Sequence, residues 1–324
     1  MLYSQSMKYL KTGFVTLLIT FICVAGYPSA AMAAKVSKET PLTVSASDEK
    51  KLLDATVNLY CRVKVGNKEV STTGTGVVID ARGVILTNAH VAQFFLLNGE
   101  NSKLNANCSV RIGSPAKEKY TAKLLYISQN WIATNTKKTA KETAKGTGED
   151  DFALLYITEA KKGKVPAQFP FLPVGLTVPT TKGSEVTASG YPASGLKFKD
   201  IRSKLKVLVA TSTISNLQSY KGSTADVMSI SRTKLASSGV SGGPVMLLNS
   251  VVGIVATRST SNNKEGASVR AITVSYINRA FMAETGLSLT ALLSGDLADR
   301  AKQTEAGIST KALSAIEKPL RVLR

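Results

Sequence analysis

The sequence predicts an all-β protein made of two antiparallel six-stranded β-barrels, with a helix towards the C-terminus. Three observations predict this fold class. From about residue 55 to 280, short segments rich in β-branched and aromatic residues alternate with turn residues. These segments form two sets of about six with no helical periodicity between them, which favours antiparallel barrels over a parallel α/β sheet. Residues 276–285, YINRAFMAET, have the pattern of a helix that closes the second set.

The first barrel is expected at about 55–160 and the second at about 165–275. The predicted strands of the first barrel are 57–65, 74–80, 83–91, 108–113, 120–128 and 152–157. Those of the second barrel are 169–176, 185–191, 207–215, 226–232, 244–249, 251–257 and 267–275. Turn residues such as Gly, Asn, Asp and Lys separate the segments, as expected where strands end.

Segments outside the barrels have weaker patterns. Residues 131–150 are rich in Thr, Lys, Ala and Gly and lack a strand pattern, which predicts a flexible surface insertion. The N-terminal segment 34–54 precedes the barrels. The C-terminal tail 286–324 has spaced apolar residues that predict one or two weak amphipathic helices, and it is too short for a further domain of ordinary size.

Residues 1–33 have the organisation of a cleavable signal peptide. Lys8 and Lys11 precede an apolar stretch at 13–27, and Ala31-Met32-Ala33 is the small-residue pattern at which such peptides are cut. A retained membrane anchor is the alternative, but 15 apolar residues are short for spanning a bilayer. We therefore expect a bacterial protein that is exported, to the periplasm or out of the cell, and cut after Ala33.

The chain is strongly basic, with a formal net charge of +19. Such a charge attracts acidic substrates, lipid headgroups, cell-wall polymers or nucleic acid. The lysines are scattered without interleaved aromatic residues, so no specific nucleic-acid partner is expected. One histidine and, after processing, two cysteines make a zinc site improbable, so no metal or cofactor is expected. In an oxidising compartment Cys61 and Cys108 form either one disulfide or two buried thiols.

Ser241 and His90 are the first candidates for chemistry. Ser241 lies in SSGVSGGPV (237–245), where its neighbours also satisfy the G-x-S-x-G pattern of α/β-hydrolases. That fold needs a histidine after the serine, and the only histidine, His90, precedes it. His90 stands at a predicted strand end and has the side chain best suited to take a proton from a serine hydroxyl near neutral pH.

The third candidate is a carboxylate that orients the imidazole. The carboxylates between His90 and Ser241 include Glu118, Glu142, Glu149, Asp150, Asp151, Glu159, Glu185, Asp200 and Asp226. Asp151 is preferred because an apolar strand follows it directly, so that its carboxylate would be buried and in need of a partner; Asp150 is the second choice. The resulting chain order is His–Asp–Ser.

Three segments in this order, TNAHV (87–91), DFALL (151–155) and GVSGGPV (239–245), resemble the signature segments of trypsin-like serine proteases. The likeness covers roughly 55–283 and is closest to the bacterial branch that includes the HtrA (Deg) proteases. GTGVVIDARGVILTNAHV (74–91) is similar to that branch over its whole length. The resemblance implies a trypsin-like serine protease domain at 55–285, without the PDZ domain of the HtrA proteins.

The resemblance also implies roles for individual residues. Ser241 would attack the scissile carbonyl, His90 would act as base and then acid, and Asp151 would orient His90. The backbone N–H groups of Gly239 and Ser241 would form the oxyanion hole, in which each donor typically lowers the barrier by about 3–4 kcal/mol. Cys61 and Cys108 would fall on neighbouring strands of the first barrel and form a disulfide contributing about 4 kcal/mol.

The substrate pocket is expected from Thr233–Ser238 and Ala256–Arg258. It contains no acidic residue, which disfavours cleavage after Lys or Arg. We expect cleavage after small or medium-sized apolar residues instead. Cleavage after acidic residues, which Lys234 or Arg258 would attract, is the second choice.

The resemblance thus implies an exported serine endopeptidase acting on polypeptides through an acyl-enzyme. The alternative is a non-catalytic protein of the same fold whose basic surface binds anionic cell-envelope components. The presence of His90, Asp151 and Ser241 together favours the enzyme. The sequence does not indicate an oligomeric state.

Overall fold

Both barrels are present in the computed structural model, and the predicted fold class is confirmed. The structure describes residues 45–98, 102, 104–135, 146–178, 180–231, 233–258, 268–307, 312–314 and 316–317. The expected signal peptide, 1–33, lies outside this range, and so does most of the segment 34–54. None of the helices in the described part of the chain has the length and apolar character needed to cross a bilayer.

The first barrel closes in the order β1-β2-β3-β6-β5-β4, with β4 returning to pair with β1. All neighbouring strands in it are antiparallel. Its strands are β1 (Thr56–Val65), β2 (Lys68–Asp80), β3 (Val84–Thr87), β4 (Asn105–Ile112), β5 (Lys117–Ile127) and β6 (Ala153–Ala160). Cys61 and Cys108 are directly opposite each other on β1 and β4, and a disulfide joins them.

The second barrel repeats this arrangement in the order β10-β11-β12-β9-β8-β7, and β7 pairs with β10. Its strands are β7 (Glu185–Gly190), β8 (Leu208–Gln218), β9 (Val227–Ile230), β10 (Pro244–Leu247), β11 (Ser250–Arg258) and β12 (Val269–Thr273). All twelve strands of the described barrels therefore come from 56–273.

Three apolar clusters hold the barrels together. One fills the first barrel and contains Leu59, Val110 and Leu155. Another fills the second barrel, around residues such as Met228. The third contains side chains of both barrels, including Phe152 before β6 and Ile254 of β11. Since burial of large apolar side chains is the main stabilising term in folding, this shared cluster fixes one barrel against the other.

The helices lie around the barrels. They are α1 (Ala46–Ala55), α2 (Ala89–Ala92), a 3-10 helix (Gln93–Asn98), α3 (Gln129–Asn135), α4 (Phe198–Ser203), α5 (Val274–Thr285), α6 (Leu289–Ser294) and α7 (Leu297–Gly307). The predicted helix at 276–285 corresponds to α5. Its first turn is capped by the Thr273 hydroxyl, and Gly286 ends it in the left-handed conformation with φ 73°.

The C-terminal tail returns to the first barrel after the second has been completed. The Thr304 hydroxyl on α7 donates to the Leu125 carbonyl oxygen of β5 at 2.7 Å. Lys123 of β5 pairs with Glu305 at 2.8 Å. Further along the chain, Leu313 and Ile316 are buried in the apolar cluster of the first barrel. The tail is thus an integral layer of the fold, and its described part includes the helices α6 and α7 and further helical residues at 312–314 and 316–317.

Three segments differ from their predictions. The strand predicted at 83–91 ends at Thr87, and Ala89–Ala92 form the helix α2 instead. Residues 169–176 were predicted to be a strand but form only an isolated bridge between Val174 and Val251, because Pro170 and Pro173 lack the N–H groups that a ladder needs. The start of the predicted insertion, 131–135, is instead part of α3, where Trp131 and Ile132 are buried. Residues 136–145 of that insertion lie outside the described residues.

Candidate active site at the junction of the barrels

His90 is placed by the end of β3. The chain leaves this strand at Thr87 and turns into the short helix α2, which carries His90 on its first turn. The Asn88 side-chain amide donates to the Asp151 carbonyl oxygen at 2.8 Å and ties the turn to the start of β6. The His90 side chain keeps 29% of its surface exposed, so the ring is supported on one side and accessible on the other.

Both carboxylate oxygens of Asp151 contact His90. One oxygen accepts the His90 backbone N–H at 2.9 Å, and the other lies 2.7 Å from ring atom Nδ1. A carboxylate can only accept, so Nδ1 carries the proton and the neutral ring has its lone pair on Nε2. Because two contacts hold one residue, both the position and the tautomer of the imidazole are fixed.

The environment changes the proton affinity of His90. Burial alone would lower the pKa of the imidazole, since it disfavours the charged form. The negative charge of Asp151 and its hydrogen bond act in the opposite direction and outweigh burial, so the pKa of His90 lies above its ordinary value of 6.5. The ring is therefore a stronger base than a free imidazole.

Asp150 is directed away from His90. Its backbone has φ 57°, and its carboxylate accepts the hydroxyl of Tyr276 on α5 at 2.8 Å. Burial is the main reason that the pKa of Asp150 is raised. The Tyr220 ring packs edge-on against Tyr276, with ring centres 4.9 Å apart, and the Tyr220 hydroxyl donates to the Thr147 carbonyl oxygen. Asp150 thus anchors the loop, and Asp151 is the carboxylate that contacts the histidine.

Ser241 lies on a tight turn of the second barrel, just before β10. The turn needs glycine: Gly239 and Gly242 have φ of 88° and 85°. A Cβ added at Gly242 would lie 2.1 Å from the Thr75 carbonyl oxygen, and one at Gly243 would lie 2.2 Å from the Ser189 carbonyl oxygen. Main chain therefore packs directly on main chain behind the partly exposed Ser241.

The amides of this turn fall into two groups. Ser238 donates to the Ser194 hydroxyl at 2.9 Å, Gly242 to the Val255 carbonyl at 2.7 Å, and Gly243 to the Val240 carbonyl at 2.8 Å. In the described part of the chain, the amides of residues 239, 240 and 241 have no acceptor. Unpaired N–H groups beside a serine are suited to hold a negatively charged oxygen, and two of the three belong to Gly239 and Ser241.

Thr75, on β2 of the first barrel, holds the serine turn. It was not among the site residues predicted from the sequence. Its amide donates to the Ser241 carbonyl oxygen at 2.8 Å, and its hydroxyl donates to the Gly239 carbonyl oxygen at 2.7 Å. The same hydroxyl accepts the Tyr191 amide at 3.0 Å. The Thr75 carbonyl oxygen accepts the Thr87 hydroxyl at 2.7 Å, three residues before His90. The available signal was a polar residue between two glycines, directly before the apolar run at 77–79.

Thr75 thus brings the serine turn to the strand end that carries His90. Among the described residues, the Ser241 hydroxyl has no hydrogen-bond partner, and neither has Nε2 of His90. Hydrogen bonds between a nucleophile and its base are often long or poorly aligned when no substrate is bound.

Three of the expected pocket residues are buried, and the others with described side chains are partly or fully exposed. Leu235 is fully buried, and Thr233 and Ala256 are nearly so, whereas Lys234 is exposed. The side chain of Arg258 lies outside the described part of the structure. No group of three or more residues suited to hold a metal ion occurs among the described residues.

A family model described as a trypsin-like peptidase domain matches residues 74–254, more than half of the chain. The matched segment begins one residue before Thr75 and contains His90, Asp151 and Ser241. No curated protein matches the chain.

Proposed function

The chain belongs to the family of trypsin-like peptidase domains, and from this premise we propose that it is an exported serine endopeptidase whose triad is His90, Asp151 and Ser241. Its substrates are polypeptides. The finer resemblance, to the bacterial HtrA (Deg) branch, is part of the same proposal. The double contact between Asp151 and His90 is the observation that carries it, since it serves no purpose for a surface histidine but is what a catalytic imidazole requires.

The proposed reaction begins with attack of the Ser241 hydroxyl oxygen on the carbonyl carbon of a peptide bond. His90 Nε2 takes the hydroxyl proton, and the imidazolium so formed is stabilised by the Asp151 carboxylate at 2.7 Å. The carbonyl oxygen becomes negatively charged and accepts hydrogen bonds from the free amides of Gly239 and Ser241.

The tetrahedral intermediate then collapses. The carbon–nitrogen bond breaks, His90 gives its proton to the leaving amine, and the acyl group stays on Ser241. A water molecule, deprotonated by His90, attacks the carbonyl carbon of the acyl-enzyme; the bond to the Ser241 oxygen then breaks, His90 returns the proton to that oxygen, and the second product leaves as a carboxylic acid. Each amide of the oxyanion site is expected to lower the barrier by about 3–4 kcal/mol.

Labelling with a fluorophosphonate probe tests the proposal, because the probe reacts only with an activated serine. The wild-type protein should be labelled, and Ser241→Ala should abolish labelling. Ser238→Ala is the matched control, since Ser238 lies in the same turn but points at Ser194, 3.0 Å away; this variant should keep the label. His90→Ala should slow labelling by at least about a hundredfold.

A folded wild-type protein that resists the probe would contradict the proposal. That result would favour the non-catalytic alternative, in which the basic surface binds anionic cell-envelope components. Export is tested separately by mass spectrometry of the protein recovered from the periplasm or the medium. A mature chain beginning at Ala34 supports the proposed signal peptide 1–33, and a chain that keeps these residues contradicts it.

A further inference from the structure

One surface segment combines exposed apolar side chains with a concentration of positive charge. It connects β7 to β8, spans residues 196–208, and is called here the α4 patch. Of the six large hydrophobic residues that are exposed in the described part of the chain, three lie in it. Leu196, Phe198 and Leu208 are 41%, 43% and 40% exposed. Half of the large apolar side chains that are exposed in the described residues thus fall within 196–208. Such a concentration indicates a surface that contacts a partner.

The charge of the α4 patch is strongly biased. Five basic side chains are exposed in it: Lys197, Lys199, Arg202, Lys204 and Lys206. Its single acidic residue, Asp200, lies 3.4 Å from Lys204. Asp200 therefore balances the charge of Lys204 and leaves the other four cations unbalanced. The apolar residues therefore alternate with cations along the segment.

The α4 patch is held rigidly from below. Arg111 of β4 is buried, and its guanidinium donates to the carbonyl oxygens of Ile201 and Arg202 at 3.1 and 2.9 Å. Leu205 is buried against Tyr191. Since the main chain is fixed from the inside, Leu196, Phe198 and the five cations remain directed outwards instead of folding back on the barrel.

We propose that the α4 patch is a docking surface for a bilayer rich in anionic lipids. A bilayer surface offers both partners that the patch needs: anionic headgroups for the five cations, and an acyl region into which Leu196, Phe198 and Leu208 can insert. A single-stranded nucleic acid would match the charges, but the patch has only one aromatic side chain on which a base could stack. The proposal does not depend on the reactivity of Ser241.

Docking through this surface would bring the serine turn close to the membrane. The Ala193 amide donates to the Ser238 carbonyl oxygen at 2.8 Å, and the Ser194 hydroxyl contacts that of Ser238. The α4 patch begins only two residues after Ser194. Polypeptides at the membrane surface would therefore be within reach of the site.

Co-sedimentation with lipid vesicles tests the proposal. Residues 41–324 form one compact unit that contains both barrels, so this fragment is used and the apolar stretch at 13–27 cannot contribute. Vesicles of phosphatidylglycerol and phosphatidylcholine are compared with vesicles of phosphatidylcholine alone. The fragment should bind the anionic vesicles at least about tenfold more strongly.

Matched variants separate the α4 patch from the general positive charge of the protein. The apolar pair Leu196→Ser with Phe198→Ser is compared with Phe171→Ser and Leu248→Ser, which remove the same residue types from exposed sites elsewhere. The charge-reversal triple Lys197→Glu, Lys199→Glu and Lys206→Glu is compared with Lys161→Glu, Lys162→Glu and Lys164→Glu, which are also exposed. Circular dichroism checks that every variant is folded.

Each patch variant should weaken binding to anionic vesicles about tenfold or more, while both control variants stay within about twofold of the wild type. Equal losses in the two charge-reversal triples would show diffuse electrostatic attraction and overturn the proposal. Absence of wild-type binding to anionic vesicles, or tighter binding to single-stranded DNA that the patch variants abolish, would overturn it as well.

Discussion

Two adjacent carboxylates near His90 have separate partners, and this division is testable. Asp151 holds the imidazole, whereas Asp150 holds Tyr276. Asp151→Asn keeps the size of the side chain but favours the wrong tautomer of His90, so the rate of phosphonylation by a fluorophosphonate should fall by a factor on the order of 10⁴. Asp150→Asn is the control and should cost less than about tenfold. Similar losses in both variants would refute the assignment.

The raised pKa of His90 predicts the pH dependence of the same reaction. The imidazole must be neutral to take a proton, so the phosphonylation rate should fall as the pH drops through a pKa above 6.5. Removing the negative charge in Asp151→Asn should move this acid limb to lower pH. Rates measured between pH 4 and pH 9 check the prediction, and an unmoved limb would assign it to another group.

The same raised pKa affects stability. A pKa that is higher in the folded than in the unfolded state means that protonated His90 favours folding. This contribution is fully present below pH 6.5 and is lost as the pH rises through the folded-state pKa.

Thr75 is expected to be a positioning residue. Thr75→Val removes the hydroxyl that links Gly239 to Tyr191, so the turn should move and the maximal phosphonylation rate should fall on the order of 10², with affinity for the probe nearly unchanged. Thr75→Ser keeps the hydroxyl and should restore most of the rate. A merely structural role would instead lower the free energy of unfolding in Thr75→Val while the rate of the folded fraction stayed at the wild-type level.

The residues proposed for the chemistry were selected from the sequence by their type and order, whereas Thr75, whose role depends on contacts, was not selected. His90 is the only histidine in the sequence, and it precedes both Asp151 and Ser241, which gives the order His–Asp–Ser. Thr75 hydrogen-bonds to residues 116 and 164 positions away, and one-dimensional patterns do not reveal such contacts.

At the scale of elements, the disulfide joins strands that are already neighbours. The loop between Cys61 and Cys108 spans 47 residues, for which the chain-entropy model gives about 4 kcal/mol of stabilisation. Reduction should lower the free energy of unfolding by up to about this amount, as measured by urea denaturation followed through Trp131 fluorescence. The double variant Cys61→Ala with Cys108→Ala should be insensitive to the reductant. Identical stability of the oxidised and reduced wild type would contradict the prediction.

Elements were predictable where local pattern decides them. The strand predicted at 57–65 corresponds to β1 at Thr56–Val65, because its β-branched residues match a core strand. Helix α3 was missed although Ser128 is a local N-cap, whose hydroxyl accepts the Trp131 amide at 3.1 Å. The Glu284 carboxylate of α5 adds a remote contact, because it accepts the Gln129 amide at 2.8 Å and the Ser128 hydroxyl at 2.7 Å. The Glu284 contacts, unlike the Ser128 cap, have no local signal in the sequence.

At the scale of the whole molecule, two repeated sets of strands were enough to predict the double barrel. The contribution of the C-terminal tail could not be predicted, because its weak amphipathic pattern does not indicate which barrel it covers. In the structure, Leu297 and Ala301 of α7 are buried with Leu125 of the first barrel. The chain therefore connects the barrels twice, once through 161–184 and once through this tail.

This double connection makes the covalent link between the barrels dispensable once the protein has folded. Gly163 lies in an exposed part of the link, so a cleavage site inserted after it can be cut in the native protein. The two fragments should elute together in gel filtration and keep the wild-type rate of probe labelling, and they should separate only in denaturant. Separation in native buffer would contradict this prediction. The protein would therefore tolerate a cut in the connection between its barrels. The fragment that carries Ser241 also carries the C-terminal tail, which binds it to the fragment that carries His90.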